Sequence, residues 1–427
     1  MQNIFEPVDV LIVGGGTAGV IAAIQSARAG VLTAIVEMQG QLGGTITTGG
    51  VNAPAYFWGR DRQIIAGIGW ELVCKAKALD NSPFPDFNIP NTRRPSYHVS
   101  VNPALYALVA EEACLEAGVI LHYHEILTGL HETAQGWEIT TVGKGIKRTI
   151  QAREVIDCTG DADAVEMAGY LRQKGDIRQP GTLTFRFGGY HMADLDMEIV
   201  QERYEQAIQD GSLQPGDFWL GNQQPFIGFL RNGGQNQQHI FQADSSTSDT
   251  QTQANIEGRK AVMRLLRFIS TIPGCEEVQL QLMCTQAAIR ETYRIIGEQT
   301  ITYEDYVSGR YFEDALCYTL YFIDVHTEQG VNHEFVPGNL VPTIPFGALI
   351  PRGSQRLLVA GRCVSSDRLA NSALRIEASC MAMGQAAGAA AALGVKQGTP
   401  SRQVPIQDIR ALLRKHQAII PVETYKS

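Results

Sequence analysis

Three glycines at fixed spacing constrain this chain more than any other feature. Residues 8–13 form an apolar run with strand character that leads into Gly14-x-Gly16-x-x-Gly19. The small-residue run 21–30 predicts a helix, and residues 33–36 a second short strand ending on Glu37. Gly14 permits a tight turn, Gly16 lets the backbone approach a pyrophosphate, and Gly19 lets helix and strand pack closely. The helix start offers free N–H groups and a partial positive charge to phosphates. Glu37, about 20 residues on, is spaced to accept hydrogen bonds from a ribose diol. Strand before, helix after and acid at that distance together predict a dinucleotide site rather than a purely structural strand-turn-helix. Thr17, Ala18 and Met38 are expected beside the same ligand.

Size and charge narrow the reading. The chain has 427 residues, too many for one hydrophobic core, so two domains are expected. Hydrophobic content of 44% and charged content of 19% describe an ordinary globular protein. Net charge is −9, from 35 basic and 44 acidic residues, which argues against non-specific nucleic-acid binding. Eight cysteines are scattered singly, with no C-x-x-C spacing, and read as buried thiols. No His-Glu-x-x-His or carboxylate cluster appears, so no metal is expected. Neither a signal-peptide pattern nor an uninterrupted apolar span of about 18 residues is seen, so a cytoplasmic protein without a membrane helix is expected.

The loop 39–51 is dense in glycine and threonine, including Gly43, Gly44 and Thr45, and suggests main chain lying against a flat or charged ligand. Residues 52–100, with Tyr56, Trp58, Pro83, Pro85 and Pro90, read as irregular apart from a helix over 70–79. Asn102-Pro103 starts a helix that Gly118 stops. Strands are expected at 119–123, 126–130, 137–142, 147–152 and 154–157, the last opening into Cys158-Thr-Gly-Asp161. In the middle of the chain, 180–190 alternates like a strand, 197–208 and 254–269 read as amphipathic helices, and 232–252 as a polar loop. Near the end, strand-like 356–360 closes on Gly361-Arg-Cys363, ahead of a small-residue helix over 378–393.

A meander and two separate returns to one sheet are unlike the serial strand-helix-strand units of a plain nicotinamide dehydrogenase. The chain resembles the FAD-dependent oxidoreductase family with a glutathione-reductase-type FAD domain, and is distantly similar to succinate dehydrogenase and fumarate reductase flavoproteins. The matching stretches are Gly14 to Gly19 with Glu37, Gly43-Gly44, Asp157-Cys-Thr-Gly-Asp161, Ala287-Ala-Ile-Arg-Glu-Thr-Tyr-Arg-Ile-Ile-Gly297, Ile323-Asp-Val-His326, Ile344-Pro-Phe-Gly-Ala-Leu-Ile-Pro351, and Gly361-Arg-Cys through Gly384-Gln-Ala-Ala-Gly388. Tyr293 departs from the pattern, which has a basic residue there. The resemblance implies an α/β protein with a Rossmann-like, discontinuous FAD-binding domain (1–55, 95–165 and 345–427), an irregular insertion (56–94) and an inserted α+β substrate or cap domain (166–344). It implies FAD contacts from Thr159, Gly160 and Asp161, from Gly361 and Arg362, and from Gly384, Gln385 and Ala386.

The flavin carries the redox chemistry, so the protein must supply orientation, charge and a proton. Arg290 and Arg294, four apart, are expected on one face, suited to a carboxylate or another oxyanion, unless they are ion-paired to Glu291 or Glu298. His326 is the candidate acid or base, or else structural. Arg375 is placed to touch flavin or substrate. The expected function is hydride exchange between flavin N5 and a small, anionic or oxygen-rich substrate, with an electron donor or acceptor that these residues leave unnamed. A nicotinamide-dependent dehydrogenase and a non-catalytic flavin-binding sensor are the alternatives.

Overall fold

The computed structural model describes residues 1–88, 97–218, 225–328 and 330–423. Pro90 and the rest of 89–94, in the expected irregular insertion, and residues 95–96 of the expected FAD-binding domain lie outside them. Strand β1 (Gln2–Val13) runs into helix α1 (Thr17–Arg28) and strand β2 (Thr33–Glu37). Helix α2 (Pro103–Glu116) follows, capped by the Asn102 side chain on the N–H groups of Ala104 and Leu105, with proline in its first turn. Then come β3 (Ile120–Tyr123), the meander β4 (Glu125–Thr133) and β5 (Gly136–Gly143), and β6 (Ile146–Asp157). Far along the chain, β7 (Leu357–Val359) returns to the same sheet.

The sheet order is β3-β2-β1-β6-β5-β4, with β7 also beside β6. β6 changes partner along its length. Its first half, Ile146 to Ala152, runs antiparallel to β5, while Val155 to Asp157 runs parallel to β7. The expected strands 147–152 and 154–157 are therefore one, because β1 pairs with β6 in one register from Gln2↔Ile146 to Val13↔Asp157. The same pairing extends β1 back to Gln2, six residues before the apolar run.

Helices α3 (Arg368–Leu374) and α4 (Glu377–Gln397) complete this layer. A Cβ on Gly384 would sit 2.2 Å from the Ala18 carbonyl oxygen, and one on Gly388 2.5 Å from that of Ala22. The small residues of α4 thus seat it against α1, with the Ser26 hydroxyl donating to the Gly388 carbonyl at 3.1 Å. α4 is also long and apolar enough to cross a membrane, yet 89% of its apolar window is buried inside the protein.

A second apolar core draws only on residues 183–289, among them Phe185, Phe218, Phe226 and Phe229. It contains the strand Phe185–Gly188 and the helices Met197–Gln209 and Ser248–Ile269. The last helix begins within the expected polar loop, because Thr247 and Thr250 form a reciprocal cap whose polar first turns carry no apolar period. Residues from Ile301 to Ile350 instead join the core around α1 and α4.

Candidate functional site

The parallel strands β1, β2, β6 and β7 all end at one edge, with Val13, Asp157 and Val359 in register. The segments after them meet there. A Cβ on Gly14 would lie 2.6 Å from the Cys158 carbonyl oxygen, and one on Gly19 1.9 Å from that of Gly14, so the turn and the helix start are closed to side chains. Gly16 differs. It bridges Gly43, yet a Cβ there would meet only the Gly44 Cα, at 4.0 Å. Gly44 is in the left-handed region at φ +52°, where a Cβ would also press on Gly16. No side chain caps α1 and no acid sits in its first turn, so its leading N–H groups face this space. Thr17 donates to the Gly43 carbonyl at 3.3 Å, and Thr45 and Met38 are exposed at the rim.

Glu37 is buried, and its carboxylate accepts from the Gly15 and Gln39 N–H groups, both at 2.7 Å. Burial raises its pKa, against those bonds. Asp157 organises the turn after β6, accepting from Thr159 and from the Val165 N–H. Asp161 accepts from Arg362, Thr292 and Ser245, and Arg362 also reaches the Gly160 and Ile289 carbonyls. These two residues tie the sheet edge to the middle of the chain. Gln385 lies deeper, donating to Gln25 and the His416 carbonyl and accepting from the Ile68 N–H, with Ala386 fully buried beside it.

A charged cluster gathers on the strand Ile323–Thr327. Alternation puts Asp324 and His326 on one side, and the partner strand Gly330–Glu334 sets His333 opposite Asp324. His326 Nε2 lies 3.1 Å from one Asp324 oxygen and His333 Nε2 3.0 Å from the other. Arg375 Nη2 approaches the same carboxylate at 3.2 Å. His326 Nδ1 meets Nε2 of His239 at 2.9 Å. Gln179, wholly buried, accepts from the His326 backbone N–H at 3.0 Å and donates its own backbone N–H and its side-chain amide to the two Glu291 oxygens. Burial alone would raise the Asp324 carboxyl, but its histidines and Arg375 hold it well below the usual carboxylate range. Burial and the Arg290 charge push His326 down to about 4 and His239 down to about 3. Arg290 is itself pushed down to about 9, by burial and then by Arg375.

Arg290 and Arg294 do not share a face. Residues 289–293 are neither strand nor helix, so the four-residue spacing carries no periodicity. Arg290 donates to the Pro180 carbonyl and lies near Asp324 and Arg375, whereas Arg294 is buried against the Ser366 carbonyl. Glu291 pairs with Arg368 and Glu298 with Arg402, so neither acid forms a salt bridge with the two arginines. Tyr293, at the departure from the family pattern, receives Arg172 and Lys174 over its ring, at 3.8 and 4.8 Å from the centroid. The two sites adjoin: the loop residue Gly49 abuts Ala288, Gly50 abuts Thr184 and Cys284, and the Ala378 N–H at the start of α4 donates to the Pro54 carbonyl. Sequence reasoning did not find His239 and Gln179 as site residues.

A parallel-sheet edge with a glycine turn, an uncapped helix and a buried acid defines a dinucleotide-binding α/β protein. The chain belongs to the FAD-dependent oxidoreductase family, whose profile (FAD dependent oxidoreductase) matches residues 9–413, and it is an enzyme with FAD as cofactor. It is 57% identical over 42 residues to dihydrolipoyl dehydrogenase of Trypanosoma brucei brucei, a match covering 10% of this chain and 9% of that enzyme. Among solved structures it is similar to a geranylgeranyl bacteriochlorophyll reductase-like protein of Thermoplasma acidophilum (13% identity, 96% of this chain and 84% of that one, TM-score 0.46). It is also similar to p-nitrophenol 4-monooxygenase of Pseudomonas putida DLL-E4 (12% identity, 97% and 87%, TM-score 0.43). The residues present fit FAD: a Cβ on Gly16 would meet only the Gly44 Cα, leaving room for a ligand group against the backbone, and among the described residues Thr184 Oγ1 and Arg375 Nε are buried without hydrogen-bond partners.

Proposed function

We propose that the enzyme exchanges a hydride between flavin N5 and a small anionic substrate held at Arg290 and Arg375. The observation that carries this reading is the pair of partly buried guanidiniums around Asp324, next to the Gly49–Gly50 turn. One carboxylate cannot offset two guanidiniums, so the pocket keeps a positive charge that a substrate carboxylate would complement. Gly14, Gly16, Thr17, Ala18 and Gly19 would hold the pyrophosphate, with Gly43, Gly44 and Thr45 over it. Glu37 would take the ribose, with Met38 alongside. Thr159, Gly160, Asp161, Gly361 and Arg362 would wall the cofactor, and Gly384, Gln385 and Ala386 would support it from behind α1. Bound FAD supplies two-electron redox chemistry. The core of residues 183–289 would serve as the cap that excludes water, and Arg294 would anchor it through Ser366.

The test is direct. Purified protein should be yellow, with about one FAD per chain, and after anaerobic photoreduction it should be reoxidised, or the oxidised form reduced, by a member of a panel of small carboxylates. A flavin that turns over only with polyols, quinones or oxygen would remove the anionic substrate from this reading.

A further inference from the structure

His326 has no ring nitrogen left for a substrate. Its Nε2 faces a carboxylate, which accepts and cannot donate, so that nitrogen carries the proton. Its Nδ1 is then bare and must accept, which fixes the proton of His239 on Nε2. The remaining nitrogen, Nδ1 of His239, is a bare acceptor with no hydrogen bond to any described residue. His239 is 6% exposed and sits next to Ile240, whose N–H donates to the Gly181 carbonyl at 2.8 Å. The neighbouring Pro180 carbonyl accepts from Arg290, so His239 and Arg290 flank one short piece of chain.

We propose that His239 is the catalytic residue that takes the substrate's proton, at Nδ1, with His326 and Asp324 lined up behind it as positioning residues. This rests on the reading of Arg290 and Arg375 as the seat of an anion. The substrate O–H or N–H bond breaks, its electron pair stays on the substrate, and a new N–H bond forms on His239. The charge gained can pass from His239 Nε2–H to His326 Nδ1, where Asp324 compensates it. The groups facing the pair are Arg290, Arg375 and Asp324, with His333 on the far carboxylate oxygen. With the arginines uncovered, burial and then the Arg290 charge keep both imidazoles neutral. An anion on the arginines would raise the proton affinity of His239, roughly a thousandfold if it came within about 4 Å of the imidazole at the dielectric usual for protein sites. The base is therefore armed only when substrate is bound.

The probe is oxalate, added to FAD-loaded protein carrying ¹⁵N-labelled histidine. Without oxalate, long-range ¹H–¹⁵N spectra at pH 7 should show His239 and His326 neutral, each with its proton on Nε2. His326→Leu should scramble the His239 tautomer at unchanged FAD content, and His326→Gln, which restores an acceptor, should restore it. As oxalate binds at pH 6, protons should be taken up and a histidine signal should become imidazolium. A variant carrying both His239→Gln and His326→Gln should still bind oxalate while its proton uptake falls about tenfold. A His239 proton on Nδ1, or undiminished uptake in that double variant, overturns the proposal; the first of these needs no variant to fold. If oxalate binds and the histidines stay neutral, the relay falls and the anion seat stands. If yellow protein ignores oxalate, the anion seat falls and the arming of His239 with it, while the tautomer still decides the relay.

Discussion

The sheet edge and the Asp324 cluster are made of opposite materials. At the edge, recognition would be by main chain: glycines at 14, 16, 19 and 44 and free N–H groups, backed by the buried acids Glu37, Asp157 and Asp161. In the cluster it is side chain: two arginines, three histidines and Asp324, brought together from four distant stretches. A backbone cradle is defined by shape and responds to added atoms. A charged cluster is defined by balance and responds to added or removed charge. The two regions should therefore fail in different ways.

The largest effects should come from shape at the edge. Gly19→Val drives a side chain into the Gly14 carbonyl and should cost about 4 kcal/mol of stability, read as a fall in the denaturant midpoint. Gly16→Val, three residues earlier but facing open space, should leave the stability of the FAD-free protein within about 1 kcal/mol while FAD content collapses. Equal loss of stability in both variants would erase the distinction within the cradle.

Charge in the cluster comes next. Arg290→Ala should keep full FAD and weaken oxalate binding about 10- to 100-fold, the worth of a charge-assisted hydrogen bond. Loss of FAD in that variant would make Arg290 part of the cradle and merge the two regions.

The most gradual effect is a pH dependence. Glu377, in the first turn of α4 and buried, has its carboxyl raised by burial from 4.5 to about 7, against its own backbone N–H and Arg375. The folded protein thus holds this proton more tightly than the unfolded chain does. Its contribution to stability is full below pH 4.5 and is lost as pH rises through 7. Glu377→Gln should flatten that fall in stability, a difference of about 3 kcal/mol between pH 4.5 and 8. An unchanged slope would mean that Glu377 stays ionised in the fold.

The same contrast explains what could be read from the sequence. Gly14, Gly16, Gly19 and Glu37 announce themselves because their spacing is local and their geometry depends on few alternatives. Asp157-Cys-Thr-Gly-Asp161 and Gly361-Arg362 were legible as strand ends for the same reason. His239 was not, because its partner His326 lies 87 positions away and no local period links them. A signal existed for the rest of the cluster: Asp324 and His326 alternate on a strand, and a short turn returns His333 to face them. The arginine pair misled, since a four-residue spacing means one face only where the backbone is regular, and 289–293 is not.

β6 carries one further consequence. Its second half waits for β7, a partner that the ribosome delivers only after Leu357 is made, long after Val155. Pairings so remote in sequence form late in folding. The growing chain can shape the glycine turn and the meander early, but the last wall of the cradle arrives with β7 and α4. With FAD placed as proposed, its capture would therefore be a closing event of biosynthesis.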